Sequence, residues 1–194
     1  ALRHQVQPAA EPLDSPSAPR KRRDTNLDLR TEIVWRNAST GETSLWLMNG
    51  TATSGGAQLM ADGNWRITHF GDFDNDRRAD YVWRNDATGA TALWLMNGAQ
   101  IASGATVMAT PEWRVTHVAD FDGNGKDDLV WRNDATGTTA LWLMNGLAYA
   151  SGATLLVDPA WQVAIAADFD GDRKVDLLWR NTATQAAAIW LMNG

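Results

Sequence analysis

Cysteine is absent from the 194 residues. A disulfide framework, a thiolate metal site and a cysteine nucleophile are therefore excluded, although the compartment is not fixed by this. Histidine occurs only three times, and no GlyXSerXGly, HisGluXXHis or phosphate-loop pattern is present. The common hydrolase, zinc-protease and nucleotide signatures are thus missing. No apolar run approaches the ~20 residues of a membrane-spanning helix. Positive charge is in deficit: 17 Lys and Arg against 23 Asp and Glu give a net charge of −6. That argues against nucleic acid as the main partner. Phenylalanine (4) and tyrosine (2) are scarce, yet there are 11 tryptophans. The imbalance needs a cause.

The cause is repetition. LeuTrpLeuMetAsnGly occurs at 45–50, 93–98 and 141–146, and IleTrpLeuMetAsnGly at 189–194. TrpArgAsn starts at Trp35, Trp83, Trp131 and Trp179. Trp65, Trp113 and Trp161 form a third class, and the three classes hold every tryptophan. The spacing within each class is 48 residues without slippage. The tryptophan load belongs to a repeat unit, so no single special pocket is needed to explain it.

Each unit reads as strands. Segments 65–70, 80–84, 91–96 and 105–108 are short, β-branched and aromatic, with turn signals such as Asn97-Gly98 between them. They are nearly continuous in apolar residues, which suits small sheets covered on both faces. Four strands in 48 residues match one β-propeller blade. A β-solenoid is the alternative, but its rungs are usually shorter. The expected fold is all-β, with four-stranded antiparallel blades and strand counts of three, four, four and three. About three and a half blades cannot close a ring. Either sequence is missing or a second chain completes it; two chains would supply 28 strands, as in a seven-bladed propeller.

Residues 1–23 differ in kind. They hold four of the six prolines, no aromatic residue and the basic run Arg20-Lys21-Arg22-Arg23. This is tail or linker composition, with a processing site or nucleic-acid patch as other readings of the run. The repeat region is expected over 24–194, with units starting near 24, 72, 120 and 168. The chain shows no signal peptide and starts on Ala, so an upstream segment is expected.

An acidic loop sits between the first two strands of each unit. Its oxygen-bearing residues fall at positions 1, 3, 5 and 9: Asp72, Asp74, Asp76 and Asp80; Asp120, Asp122, Asn124 and Asp128; Asp168, Asp170, Asp172 and Asp176. A degenerate first copy keeps the register with Asp24, Asn26, Asp28 and Glu32. Fourteen of the 23 acidic residues occupy these positions. Carboxylates packed so closely repel unless a cation sits among them. Hard oxygen donors without histidine or cysteine select calcium over zinc or copper. Backbone carbonyls at position 7 (Arg78, Lys126, Lys174) and water would complete the shell. An EF-hand is excluded, because Trp83, Trp131 and Trp179 stand where its bidentate glutamate belongs. A plain Asp-Gly turn is the simpler reading, yet a turn does not need the same alternate positions acidic in four copies.

The AspXAspXAspXXXAsp loop, repeated in register over roughly 24–194, resembles the FG-GAP and VCBS repeat family, whose blades also build the integrin α-subunit propeller. The resemblance implies a calcium-loaded, secreted or cell-surface propeller, with the loop positions named above as its ligands. PheGly appears once (Phe70-Gly71), GlyAlaPro is absent, and the glycine frequent at loop position 6 is present only as Gly125. The chain therefore resembles the VCBS branch more than an integrin.

The expected role is a non-catalytic module that binds a glycan or protein ligand, with equivalent sites giving avidity. Trp65, Trp113 and Trp161 each begin a strand after a variable loop and are the candidate ligand contacts; the other two tryptophan classes sit mid-strand, as blade packing. An accessory domain of a secreted enzyme with its catalytic part upstream is a second reading, and a purely structural self-assembling repeat a third. His69 and His117 are repeat equivalents, replaced by Ile165 in the next unit, which suits a structural role.

Overall fold

The computed structural model describes residues 23–194. Of the tail expected over 1–23 only Arg23 falls among them; the rest of it, with the rest of the basic run, lies outside the described residues. Fourteen strands form four antiparallel sheets, with no helix among the described residues. The first sheet holds β1 (Ile33–Arg36), β2 (Thr43–Asn49) and β3 (Ala52–Met60). The second holds β4 (Trp65–Gly71), β5 (Asp80–Asn85), β6 (Thr91–Asn97) and β7 (Gln100–Met108). The third holds β8 (Trp113–Ala119), β9 (Asp128–Asn133), β10 (Thr138–Asn145) and β11 (Ala148–Val157). The fourth holds β12 (Trp161–Ala167), β13 (Asp176–Asn181) and β14 (Ala187–Trp190). Strands follow chain order within every sheet, as in propeller blades. The strand counts of three, four, four and three match the expectation, and no ring closes among the described residues.

One element is longer than its sequence suggests. The fourth strand of a unit was expected at 105–108, but β7 starts at Gln100. Asn97 pairs directly with Gln100 across the two-residue turn, where Gly98 sits at φ 64°. Only glycine and a few polar residues take that conformation readily. The added residues, Gln100 to Gly104, are all exposed and only Ile101 among them is large and apolar, so they give no buried-strand pattern.

The core lies between sheets. On β5, Tyr81 and Trp83 face back toward the first blade, where they bury Leu45 and Leu59. Val82 and Leu93, with Phe73, face forward onto Leu129, Trp131 and Met144 of the third blade. Phe121, Val130 and Leu141 then face forward onto Leu177 and Trp179. Both sides of each internal sheet are thus apolar, because alternate residues meet different neighbours. Each fully buried tryptophan also stands beside its partner on the next strand, as Trp83 does with Trp94 at 4.8 Å between ring centroids.

Arginines tie neighbouring blades at the end of the sheet opposite the acidic loops. Arg132 donates to the carbonyls of Asp158 (3.1 Å), Pro159 (3.1 Å) and Trp161 (2.8 Å). Arg84 makes the same reach, to Pro111 (2.7 Å) and Trp113. Beside these contacts, Gly137 has φ 70°, and a Cβ there would lie 2.4 Å from the nitrogen of Pro159. Position 137, in the loop between β9 and β10, therefore needs glycine.

Candidate metal centres

Each acidic loop winds around the carboxylate at its first position. Asp120 accepts backbone N–H bonds from Gly123 (2.8 Å), Asn124 (3.1 Å) and Gly125 (2.7 Å). Position 3 accepts from position 5, as Asn124 N–H to Asp122 (3.0 Å). Position 5 accepts from position 7, as Lys126 N–H to Asn124 (2.7 Å). The other loops repeat the pattern. The winding requires left-handed backbone at positions 4 and 6. Those positions are Asn75 and Arg77, Gly123 and Gly125, and Gly171 and Arg173. The degenerate first copy keeps it too, with Leu27 at φ 64° and Leu29 at φ 66°. Two non-glycine residues in that region carry strain, so the shared geometry there is imposed by the loop's bonds to Asp24.

Position 9 joins the loop to the sheet. Asp80 accepts the N–H of Phe73 (2.9 Å) and of Met96 (2.9 Å). Asp128 does so with Phe121 (2.9 Å) and Met144 (2.8 Å), and Asp176 with Phe169 and Met192 (both 2.8 Å). This second duty was not visible in the sequence. Burial pushes Asp80 and Asp128 up to about 7, with Asp74 and Asp76, or Asp122 and Asp120, adding repulsion.

Four carboxylate groups result, each with ligand atoms within 4.8 Å of one another. Three are Asp72, Asp74 and Asp80; Asp120, Asp122 and Asp128; and Asp168, Asp170 and Asp176. The fourth is Asp24, Asp28 and Glu32. Positions 1, 3 and 9 are brought together in the later loops. The position-5 carboxylates Asp76 and Asp172 stand outside the later groups, whereas Asp28 belongs to the first; Asp76 pairs with Arg78 at 2.6 Å and Asp28 with Arg30 at 3.1 Å. The other position-7 side chains, Lys126 and Lys174, reach Asn145 and Asn193.

The first loop differs in its ninth residue. Glu32 is one methylene longer than the aspartates and makes neither of their bonds. It is 3% exposed, and both its carboxylate oxygens are buried without a hydrogen-bond partner among the described residues. Burial, then the charges of Asp24 and Asp28, push it up to about 7. An unpartnered buried carboxylate beside two others fits a cation, and the all-oxygen donor set fits a hard one. These groups can hold metal ions.

The candidate ligand tryptophans are placed differently from the most exposed aromatics. Trp65, Trp113 and Trp161 are half-buried and pack against the inter-blade cores. Carbonyls of Trp113 and Trp161 also receive Arg84 and Arg132. Trp46 (43%) and Trp190 (36%), from the mid-strand class, are the exposed indoles.

The FG-GAP-like repeat model matches residues 72–131 and 120–179. Those matches span more than half of the chain, which belongs to the FG-GAP-like repeat family. A search of curated proteins finds no match. The family is generally non-catalytic and typically extracellular. No helix among the described residues is long and apolar enough to cross a membrane.

Proposed function

We propose that this chain is a calcium-binding, non-catalytic propeller-type module that works outside the cell and presents its blades to a glycan or protein ligand. Glu32 carries the calcium reading. Its stranded carboxylate has no other use among the described residues, and a calcium ion would relieve both its missing partners and its repulsion with Asp24 and Asp28. In the later loops positions 1, 3 and 9 would supply carboxylate oxygens. Four divalent ions would also turn the net charge of −6 positive. Ligand binding is supported by repetition: β3, β7 and β11 expose equivalent strips of small residues at one spacing, which favours multivalent contact.

Calorimetric titration of the chelated chain with calcium tests the metal reading. Four ions per chain are expected, and three for Glu32→Gln. No calcium binding in the parent would overturn it. A glycan and protein screen in calcium tests the second half, and a silent screen would leave only a structural repeat.

A further inference from the structure

Two leucines stand at the tip of the first acidic loop, where the other loops carry none. Leu27, at position 4, is 42% exposed, and Leu29, at position 6, is 73% exposed. The same positions hold Asn75 and Arg77, Gly123 and Gly125, and Gly171 and Arg173. Leucine is a costly choice here on two counts. Both residues sit in left-handed backbone, at φ 64° and φ 66°, where a Cβ is strained and glycine is not. Both also leave an apolar side chain in water. The exposure belongs to the loop tip and not to the first blade, because Asn75, Arg77 and Gly123 are exposed as well. One exposed leucine needs no cause, but two in strained backbone on one loop ask what covers them.

The residues around the pair are basic. Arg30 follows Leu29 directly; its side chain is 48% exposed and pairs with Asp28 at 3.1 Å. Arg23 precedes Asp24, the first residue of the loop. Its carbonyl accepts the N–H of Glu32 (2.9 Å), and its guanidinium lies 4.3 Å from the ring centroid of Phe70. Both contacts fix it at the base of the loop. In sequence it closes the run Arg20-Lys21-Arg22-Arg23. Residues 20–32 thus hold five basic residues against three acidic ones, in a chain whose net charge is −6. The acidic three are Asp24, Asp28 and Glu32, the candidate ligands, and a divalent ion among them would make the segment more positive still. An apolar pair set among cations matches the boundary of an anionic bilayer, where acyl chains take the leucines and phosphates take the charge. A nucleic acid would take the charge and leave the leucines in water. A protein groove would take the leucines and has no need of the charge.

We infer that the first acidic loop docks this chain on an anionic lipid surface. Leu27 and Leu29 enter the boundary between headgroups and acyl chains, while Arg23, Arg30 and the basic residues that precede them in sequence meet the phosphates. Neither signal is strong alone, and stable docking takes both. The inference rests on the calcium reading in one respect. Without an ion, the carboxylates of Asp24, Asp28 and Glu32 would face headgroups of their own sign. Docking is therefore expected to need calcium. It sets the chain on a membrane and asks for no span across it.

The test is co-sedimentation of the whole chain with vesicles of phosphatidylcholine, with and without phosphatidylglycerol, in calcium and in chelator. The parent is expected to bind only the phosphatidylglycerol vesicles, and only in calcium. Leu27→Gly combined with Leu29→Gly installs the residues of the third loop. The double variant relieves the left-handed strain, so its melting midpoint should not fall and its calorimetric calcium titration should match the parent's. Its vesicle affinity should drop about tenfold, the worth of partly burying two leucines. A parent that ignores anionic vesicles in calcium overturns the inference, as does a double variant that binds them like the parent. A parent that shifts a DNA duplex and ignores vesicles overturns it too, in favour of nucleic acid. The calcium reading fails separately. Calcium uptake without vesicle binding sinks the docking alone. Vesicle binding that persists in chelator and still needs the leucines upholds the docking and removes only the ion's part in it.

Discussion

Asp122 and Asp128 lie in one loop, yet their removal should have different consequences. Asp122 accepts only from Asn124, through its N–H (3.0 Å) and its side-chain amide (2.9 Å), at the loop surface. Without metal, Asp122→Ala should cost less than about 1 kcal/mol, the net worth of an exposed hydrogen bond. With calcium at a hundred times its dissociation constant, the site stabilises the fold by about 2.7 kcal/mol, and loss of one carboxylate removes most of that. Asp128 is fully buried and satisfies the N–H groups of Phe121 and Met144. Asp128→Ala strands both donors, at about 1–3 kcal/mol each, so it should lower stability severely even in chelator. Urea unfolding followed by tryptophan fluorescence, in calcium and in chelator, reads both variants. Repeat arrays need not unfold in one step, so midpoints are the quantity compared. Equal losses for Asp122→Ala in the two conditions would refute the metal assignment. A mild Asp128→Ala in chelator would refute the bridging role of position 9.

Arg132→Ala should destabilise by about 3 kcal/mol, because three carbonyls of the next blade lose a charged donor. Arg180→Ala, at a residue whose one hydrogen-bond partner among the described residues is Gln185, should change little; thermal melts of the two compare them directly. Burial holds His69 and His117 down at about 4, with Arg66 and Arg114, or His69 and Arg114, adding repulsion. Their unfolded forms take up protons near 6.5, so this contribution is intact above that pH and is lost as pH falls toward 4. A double change to isoleucine, the residue at 165, should shrink the loss of unfolding midpoint between about pH 7.5 and pH 5. An unchanged acid limb would show that the histidines play no part in it.

The repeat, the strand counts and the four loops were legible because they are local and recur in register. What the sequence concealed lies between repeats. In an internal sheet alternate residues such as Tyr81 and Val82 point to opposite neighbours, yet both are apolar, so no period-2 pattern separates them. Phe73 reads as a filler between two aspartates; its complete burial depends on a blade about 50 residues further on. The arginine of TrpArgAsn gives no sign that it ties the following blade, since its acceptors are backbone carbonyls. Trp65, Trp113 and Trp161 are candidate contacts because a variable loop precedes them, and the sequence did not show how that loop is anchored. That loop is held down: carbonyls at Gly63, Pro111 and Pro159 receive Arg36, Arg84 and Arg132. Glu32 was visible as a candidate ligand, but its lack of the bonds that Asp80 makes was not.

The placement of these ties makes loop order and blade docking one event. The first residue of a loop works at both of its ends. Its carboxylate gathers the loop's own N–H groups, while its carbonyl receives an N–H from the loop of the next blade. The ninth residue fixes the N–H of position 2, whose side chain is the phenylalanine that fills the next junction. A cation drawn to the carboxylates at positions 1, 3 and 9 would therefore hold the two residues that present the junction's apolar plug and its hydrogen-bond acceptors. In a quasi-linear array, where stability is a sum of unit and interface terms, an ion at one loop strengthens an interface as well as a unit. Loss of an ion from the second or third loop should thus loosen the following blade more than its own, a polarity that the strand pairing within each sheet does not impose.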